Sequence, residues 1–170
     1  MHASRQTGPS LTLRPTGPGD EDFLRSLFFE AKAEELADAA GGEALDTLVA
    51  LQYDARARHY AAAYPGAVDQ VVELDGQPAG RILVLERDRD LLVVDLGVRA
   101  AARGRGVASH AVAHWAALAD RRGVPMLLHV SFGNPAAEVY RHLGFTEVGV
   151  DQGGLVMRRP AARNDEAALG

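Results

Sequence analysis

The segment Arg103-Gly104-Arg105-Gly106, running on into Val107-Ala108-Ser109, is the part of this chain best suited to chemistry. It follows an apolar run, Leu91–Val98, that is broken only by Asp95, and it precedes Val107, Ala111, Val112, Trp115, Leu118 and Ala119 at helical spacing. The run reads as a strand buried on both faces, and the spacing predicts a helix over about 105–121. Glycines at such a strand-to-helix turn leave backbone N–H groups uncovered. At a helix start these groups lack internal partners and the helix dipole is positive, so the segment should hold an anion, most simply a phosphate.

Spacing narrows the choice of phosphate carrier. A nucleoside-triphosphate loop ends in Gly-Lys-Ser/Thr, and this loop has no lysine. A dinucleotide fold places G-x-G-x-x-G directly after the strand, with an acid about 20 residues further on. Here Gly104-x-Gly106 leads to Ser109, and the next strand ends in His129-Val130-Ser131. What fits is Arg103-x-x-Gly106-x-Ala108 behind a strand ending in Leu96-Gly97-Val98. A second segment, NPAAEVYRHLGF over Asn134–Phe145, carries its own helix signals. Asn134 is an N-cap, Pro135 follows at the first helical position, and Gly144 stands where a helix end needs a left-handed residue. In this order, and in these strand and helix settings, the two segments resemble the pyrophosphate loop and the Asn–Tyr helix of the GNAT N-acetyltransferase superfamily. The resemblance is specific over Leu91–Phe145 and architectural over the rest of Leu11–Arg159.

That resemblance implies an acetyl-CoA-dependent N-acetyltransferase that moves the acetyl group directly to a primary amine of a small molecule or peptide within a ternary complex. Arg103, Gly104, Arg105, Gly106, Val107, Ala108 and Ser109 would present amides to the coenzyme A pyrophosphate, with the arginines adding charge. Leu96, Gly97 and Val98 would pair by backbone with the pantetheine arm, where two neighbouring strands, Leu91–Val98 and Met126–Ser131, splay apart. Asn134 and Ala137 would border the pantetheine, and Tyr140 would stand near the sulfur as general acid. A phenol, ordinarily titrating near 10, suits a developing thiolate. Two other readings stay open, a non-catalytic acyl-CoA-binding or regulatory module and an acyltransferase using a different thioester. Tyr140 favours catalysis, because a pure binder has no need of an acid.

The base and the acceptor site are less determined. Asp95 is the nearest acid on the central strand, and the alternative for it is an ion pair with an arginine such as Arg81. His129, on the second splayed strand, has a near-neutral intrinsic pKa; the competing reading is a buried histidine bonded to backbone. A water chain without a dedicated base fits the family as well. In the family the second helix builds the acceptor pocket, which points to Tyr53, His59 and Tyr60, with Arg81 added; for the tyrosines, packing into the core competes. Arg14, Arg56, Arg58 and Arg81 could draw an acidic acceptor or simply be solvated. His110 and His114 lie at i and i+4, but with Ala111 between them and no third ligand the expectation is no metal.

Composition and order of elements place these residues on one domain. The chain has 170 residues, no cysteine, 47% hydrophobic and 24% charged residues and a net charge of −5. Disulfides, thiolate metal sites and a cysteine acyl-enzyme are therefore excluded. The acidic balance argues against nucleic acid and tilts slightly toward cationic amines. No apolar run nears the roughly 20 residues of a membrane span and no signal peptide opens the chain. Lys32 is the sole lysine among many arginines and alanines, the coding bias of a GC-rich bacterium, so the expectation is a cytoplasmic bacterial protein. Relatives of such enzymes often dimerise, which leaves a homodimer open.

A flexible arm is expected over 1–10, the N-acetyltransferase domain over 11–160 and a flexible tail over 161–170. Strands are expected at Leu11–Arg14, Val68–Leu74, Ala79–Glu86, Leu91–Val98, Met126–Ser131, Phe145–Val150 and Leu155–Arg159. The first helix, capped near Asp20, buries Phe23, Leu24, Leu27, Phe28 and Ala31. The second runs Glu43–Tyr64 and the last Asn134–Leu143. Asp75-Gly76 is a strong hairpin turn. The fold class is α/β, a mixed and mostly antiparallel sheet of six to seven strands flanked by about four helices.

Overall fold

The computed structural model describes residues 8–36 and 41–163. Most of the expected arm and tail therefore lies outside the described residues. The strands are β1 (Leu11–Pro15), β2 (Val68–Leu74), β3 (Gln77–Glu86), β4 (Leu91–Val98), β5 (Met126–Ser131), β6 (Thr146–Asp151) and β7 (Gly154–Arg159). The α-helices are α1 (Glu21–Glu35), α2 (Glu43–Ala63), α3 (Val107–Arg122) and α4 (Ala136–His142). All seven strands join one sheet in the order β1-β2-β3-β4-β5-β7-β6. Every neighbouring pair is antiparallel except β4 and β5. The expected mixed α/β sheet is the observed one.

Local chemistry sets the boundaries. Asp75 and Gly76 have φ of 51° and 80°, the pair of left-handed residues a type I′ turn requires to match strand twist. Helix α3 begins at Val107 rather than near 105 because Gly106 adopts the left-handed conformation, φ 83°. Helix α4 begins at Ala136 because the Asn134 Oδ1 accepts from the Ala136 amide. It closes at Gly144, φ 94°, with the Phe145 amide donating to the Tyr140 carbonyl and the Gly144 amide to that of Arg141, a Schellman closure.

Helices cover both sheet faces. Against one face, α3 buries Val107, Ala111, Val112, Trp115 and Ala119 on Ile82, Val84, Leu91, Val93, Met126 and Leu128, and α4 adds Ala137 and Tyr140. The buried Trp115 donates its indole N–H to Gln70 at 3.0 Å, the polar contact a buried indole needs. A second cluster, Leu24, Phe28, Val49 and Tyr53, joins α1 to α2 over the opposite face. At its corner Asp20 is gripped in two-pronged fashion by Arg14, at 2.8 and 2.7 Å. The Arg14 hydrogen bond and the Gly17 amide hold its carboxyl down to about 2. Among the described residues no helix is long and apolar enough to cross a membrane.

The central strand is only partly as expected. Leu91, Leu92 and Val93 are buried, but Val94–Val98 are half-buried, because β5 accompanies only the first part of β4. The parallel pairing runs Leu91↔Met126 to Val93↔Leu128 and stops. At that point β4 carries an extra residue: Val84 faces Val93 while Leu83 faces Asp95, so Val94 is bulged out. A bulge bends its strand and sharpens the local twist. Strand β5 instead follows β7, through Ser131↔Gly154. The two strands diverge as a V.

Gly154 holds the outer arm of that V. A Cβ at this position would stand 2.0 Å from the Val130 carbonyl oxygen, backbone that cannot step aside as a side chain can. Gly154→Ala is expected to cost roughly 1–3 kcal/mol, the usual range for overpacking, read as a lower midpoint in urea unfolding. An unchanged midpoint would show that β5 and β7 are not held this closely.

Candidate active site

The mouth of the V is a slot of about 150 Å³ lined by Val93–Leu96 on one side and by Leu128–Ser131, Asn134 and Tyr140 on the other. Beyond Val93, the β4 edge that would have met β5 has no strand partner among the described residues. An extended polyamide chain entering here meets a free strand edge, which it can pair with as an added strand.

The glycine loop adjoins this edge. Among the described residues none accepts a hydrogen bond from the amides of Gly104 through Ser109; the first helical bond runs from His110 to the Gly106 carbonyl. Gly104 (φ 74°) and Gly106 (φ 83°) alternate with Arg105, which turns successive N–H groups into a concave anion nest. The approach to the loop is anchored on α1, where Glu30 accepts from the Ala100 amide and Arg99 stacks 5.1 Å from Phe23. The arginine heads point elsewhere: Arg103 pairs with Glu34 at 2.9 Å and Arg105 with Asp75 at 3.8 Å, both about half exposed. Exposed pairs like these contribute at most about 1 kcal/mol, so either head is free to turn to an arriving anion. A row of uncovered amides on left-handed glycines fits a diphosphate.

Tyr140 closes the slot. Its ring is buried, edge-on to Phe145 at 6.0 Å. Burial first, and then the charge of Asp95, push its phenol up to about 12, so it keeps its proton through the physiological range. Ala137 is buried one turn earlier on the same helix. Asn134 lines the slot but spends its side-chain oxygen as the α4 cap, leaving its NH₂ to donate. His129 is not the buried, backbone-bonded histidine of the competing reading. Its side chain is 56% exposed and its Nδ1 is bonded to Asp151, because alternation along β5 turns Leu128 and Val130 inward and His129 out.

A second cavity, about 440 Å³, opens on the α1–α2 side of the sheet. Tyr53, Tyr60, Arg81 and also Tyr64, Arg56, Asp69, Glu21 and Thr16 line it. His59 does not. It lies about 120° around the helix from Tyr53 at six residues' distance, exposed, with its ring 6.2 Å from Tyr60 and 6.1 Å from Tyr64. Tyr53 does both things expected of it, packing 5.6 Å from Phe28 and facing the cavity. Burial raises the phenols of Tyr53 and Tyr60; after burial, Glu21 acts on the first and Asp95 on the second.

Asp95 lies between the two cavities, and two bulges put it there. In the β2–β3 hairpin the register slips after Val72, so that Val71 meets Arg81 and Asp69 meets Leu83. In β3–β4 it slips at Val94, so that Leu83 meets Asp95. A one-residue slip exchanges the faces of a strand. Both slips together bring Asp69, Arg81 and Asp95 onto the face under α2. There Arg81 grips Asp69 with two bonds of 2.8 Å and reaches Asp95 Oδ2 at 3.5 Å. Arg56 reaches the same oxygen at 3.3 Å while lying over the rings of Phe28 and Tyr60, at 4.5 and 5.3 Å. The arginine pairing considered for Asp95 is thus present, and its Oδ1 has no hydrogen-bond partner among the described residues. Sequence reasoning missed Asp69, Glu21 and Thr16, and took Arg56 for one of several scattered cations.

Comparison with known proteins bears on the family and the fold. A model of the acetyltransferase (GNAT) family matches residues 33–145. The structure of PaiA N-acetyltransferase from Thermoplasma acidophilum in complex with coenzyme A superposes with a TM-score of 0.70, covering 89% of this chain and 99% of that one at 13% identity. An acetyltransferase from Thermus thermophilus gives 0.64, over 89% and 97%, at 23% identity. Nourseothricin acetyltransferase is similar at 30% identity over 58% of this chain and 67% of its own, with a TM-score of 0.51. No curated protein matches.

Proposed function

The chain belongs to the acetyltransferase (GNAT) family, and we propose that it acetylates a primary amine by direct transfer, with acetyl-CoA and the amine bound together in the domain over residues 11–160. Bound acetyl-CoA supplies an activated acetyl thioester, whose carbon–sulfur bond is exchanged for a carbon–nitrogen bond with release of a thiol. The observation that carries the reading is the run of uncovered amides, Gly104 to Ser109, beside a strand edge freed by the V and a buried phenol facing it.

Each residue has a task in that arrangement. The loop amides hold the diphosphate, and the edge of Leu96-Gly97-Val98, with the Asn134 NH₂, directs the pantetheine amides into the slot. Tyr140 Oη keeps a proton and gives it to the departing sulfur. The amine enters from the α2 side, and Asp95, fixed through Oδ2 by Arg56 and Arg81, takes a proton from its nitrogen at Oδ1. A further proton from that nitrogen restores Tyr140, so one proton in all is released to solvent. His129 lines the slot beside them, with its Nδ1 held by Asp151.

Thiol release measured with a chromogenic disulfide over a panel of amines tests the reading. The chain has no cysteine, so any thiol detected comes from the coenzyme. Amine-dependent release of thiol, with N-acetyl product by mass spectrometry, is the expected outcome; binding of acetyl-CoA with no turnover on any amine would make the protein a sensor instead.

A further inference from the structure

The charges around the α2-side cavity narrow the acceptor, an inference that rests on the acetyl-transfer reading above. An acceptor with a carboxylate or phosphate at its far end needs a free cation, and the two guanidiniums here are committed. Arg81 is 13% exposed at its side chain and bound in two-pronged fashion by Asp69, with Asp95 at its third nitrogen. Arg56 is neutralised by Asp95 and covered by two aromatic rings. Three carboxylates, Glu21, Asp69 and Asp95, thus face two cations. Glu21, at the end away from the slot, faces the Tyr53 phenol and lies 3.5 Å from Arg25, which also serves Asp54 at 3.2 Å. A second observation marks the same end: Thr16 lines the cavity, and its hydroxyl oxygen is buried with no hydrogen-bond partner among the described residues. A buried hydroxyl left unpaired costs free energy that an arriving N–H donor recovers. The rings of Tyr53, Tyr60 and Tyr64 line the same cavity, surfaces that accept methylene chains and cations alike.

We propose that the acceptor is a diamine or polyamine, with its reacting nitrogen at Asp95 and a second, protonated nitrogen received by Glu21 and the Thr16 hydroxyl. The tyrosines cover the carbon chain between them. An ω-amino acid or other amine with an anionic far end is rejected, because that end meets Glu21 and finds no unpaired guanidinium.

The test is kcat/KM for a four-carbon series of matched length, butylamine, putrescine and γ-aminobutyrate, extended to cadaverine and spermidine. The best diamine or polyamine is expected to exceed butylamine by on the order of tenfold or more, and γ-aminobutyrate to fall below butylamine; one charged hydrogen bond is worth about that much. Glu21→Gln should bring the diamine-to-monoamine ratio toward one. Thr16→Val, which keeps shape and removes the hydroxyl, should lower the ratio as well. If the wild-type protein acetylates γ-aminobutyrate or butylamine as well as any diamine, or if the preference survives both variants, the diamine assignment is wrong while acetyl transfer stands. If no amine in any class is acetylated although acetyl-CoA binds, acetyl transfer itself fails.

Discussion

Tyr140→Phe is expected to lower kcat by about 100- to 1000-fold, within the range removal of a general acid produces, while coenzyme A binds as before. The phenyl ring keeps the edge contact with Phe145 and the packing in the α3–α4 core, so the loss falls on the hydroxyl alone. Comparison of single-turnover rates with calorimetric affinity separates the two effects. The pH profile gives an independent check. Burial, with the charge of Asp95 second, raises this phenol to about 12; a group whose acid form is favoured keeps its proton until pH climbs through that value. Activity that depends on the protonated phenol should therefore show no alkaline decline attributable to Tyr140 below about pH 11. An unchanged kcat in the Phe variant would remove the acid role, and a loss of coenzyme affinity would make Tyr140 a binding residue.

Gly104→Asp should weaken coenzyme A binding on the order of 100-fold, about 2.7 kcal/mol. A Cβ at Gly104 meets nothing within 4 Å, and aspartate is among the residues that tolerate φ 74°. The fold should survive, with a carboxylate now standing in the row of amides where a diphosphate would lie. Isothermal titration beside a thermal melt distinguishes lost binding from lost structure. Equal affinity in the variant would place the diphosphate elsewhere.

The sequence made the cofactor side legible because its signals are local. Two glycines alternating with arginines at a strand-to-helix turn, and an Asn–Pro start with a Gly–Phe end, each prescribe a backbone conformation within a few residues. The structure adopts those conformations at Gly106 and Gly144. The acceptor side depends on register, which is not local. Counting outward from the Asp75-Gly76 turn without a bulge pairs Gln70 with Arg81 and leaves Asp69 on the opposite face. The slip after Val72 reverses this. The slip at Val94 likewise turns Asp95 from the α3 face toward Arg56. The first slip leaves Ala79 as the extra residue, between Pro78 and Gly80, a mark that went unread; the second, at Val94, has no glycine or proline beside it, so the Asp69–Arg81–Asp95–Arg56 network was not read beforehand. His59 shows the same limit on a helix: its type suited a polar site, but its angular position put it on the outer face.

The splay has a similar origin. Leu91–Val98 is apolar along its whole length, and nothing in that run shows that β5 leaves it after Val93. The bulge and the partnership of β5 with β7, secured at Gly154, divide the strand into a buried half and a half whose edge is free.

The most direct measurement is an amide NMR titration of the ¹⁵N-labelled protein with coenzyme A. The resonances of Gly104 through Ser109 should shift together and saturate with one binding constant, accompanied by those of Leu96–Val98. If those amides stay in place while coenzyme A perturbs residues elsewhere, or if saturating coenzyme A moves no resonance, the uncovered loop does not hold the diphosphate.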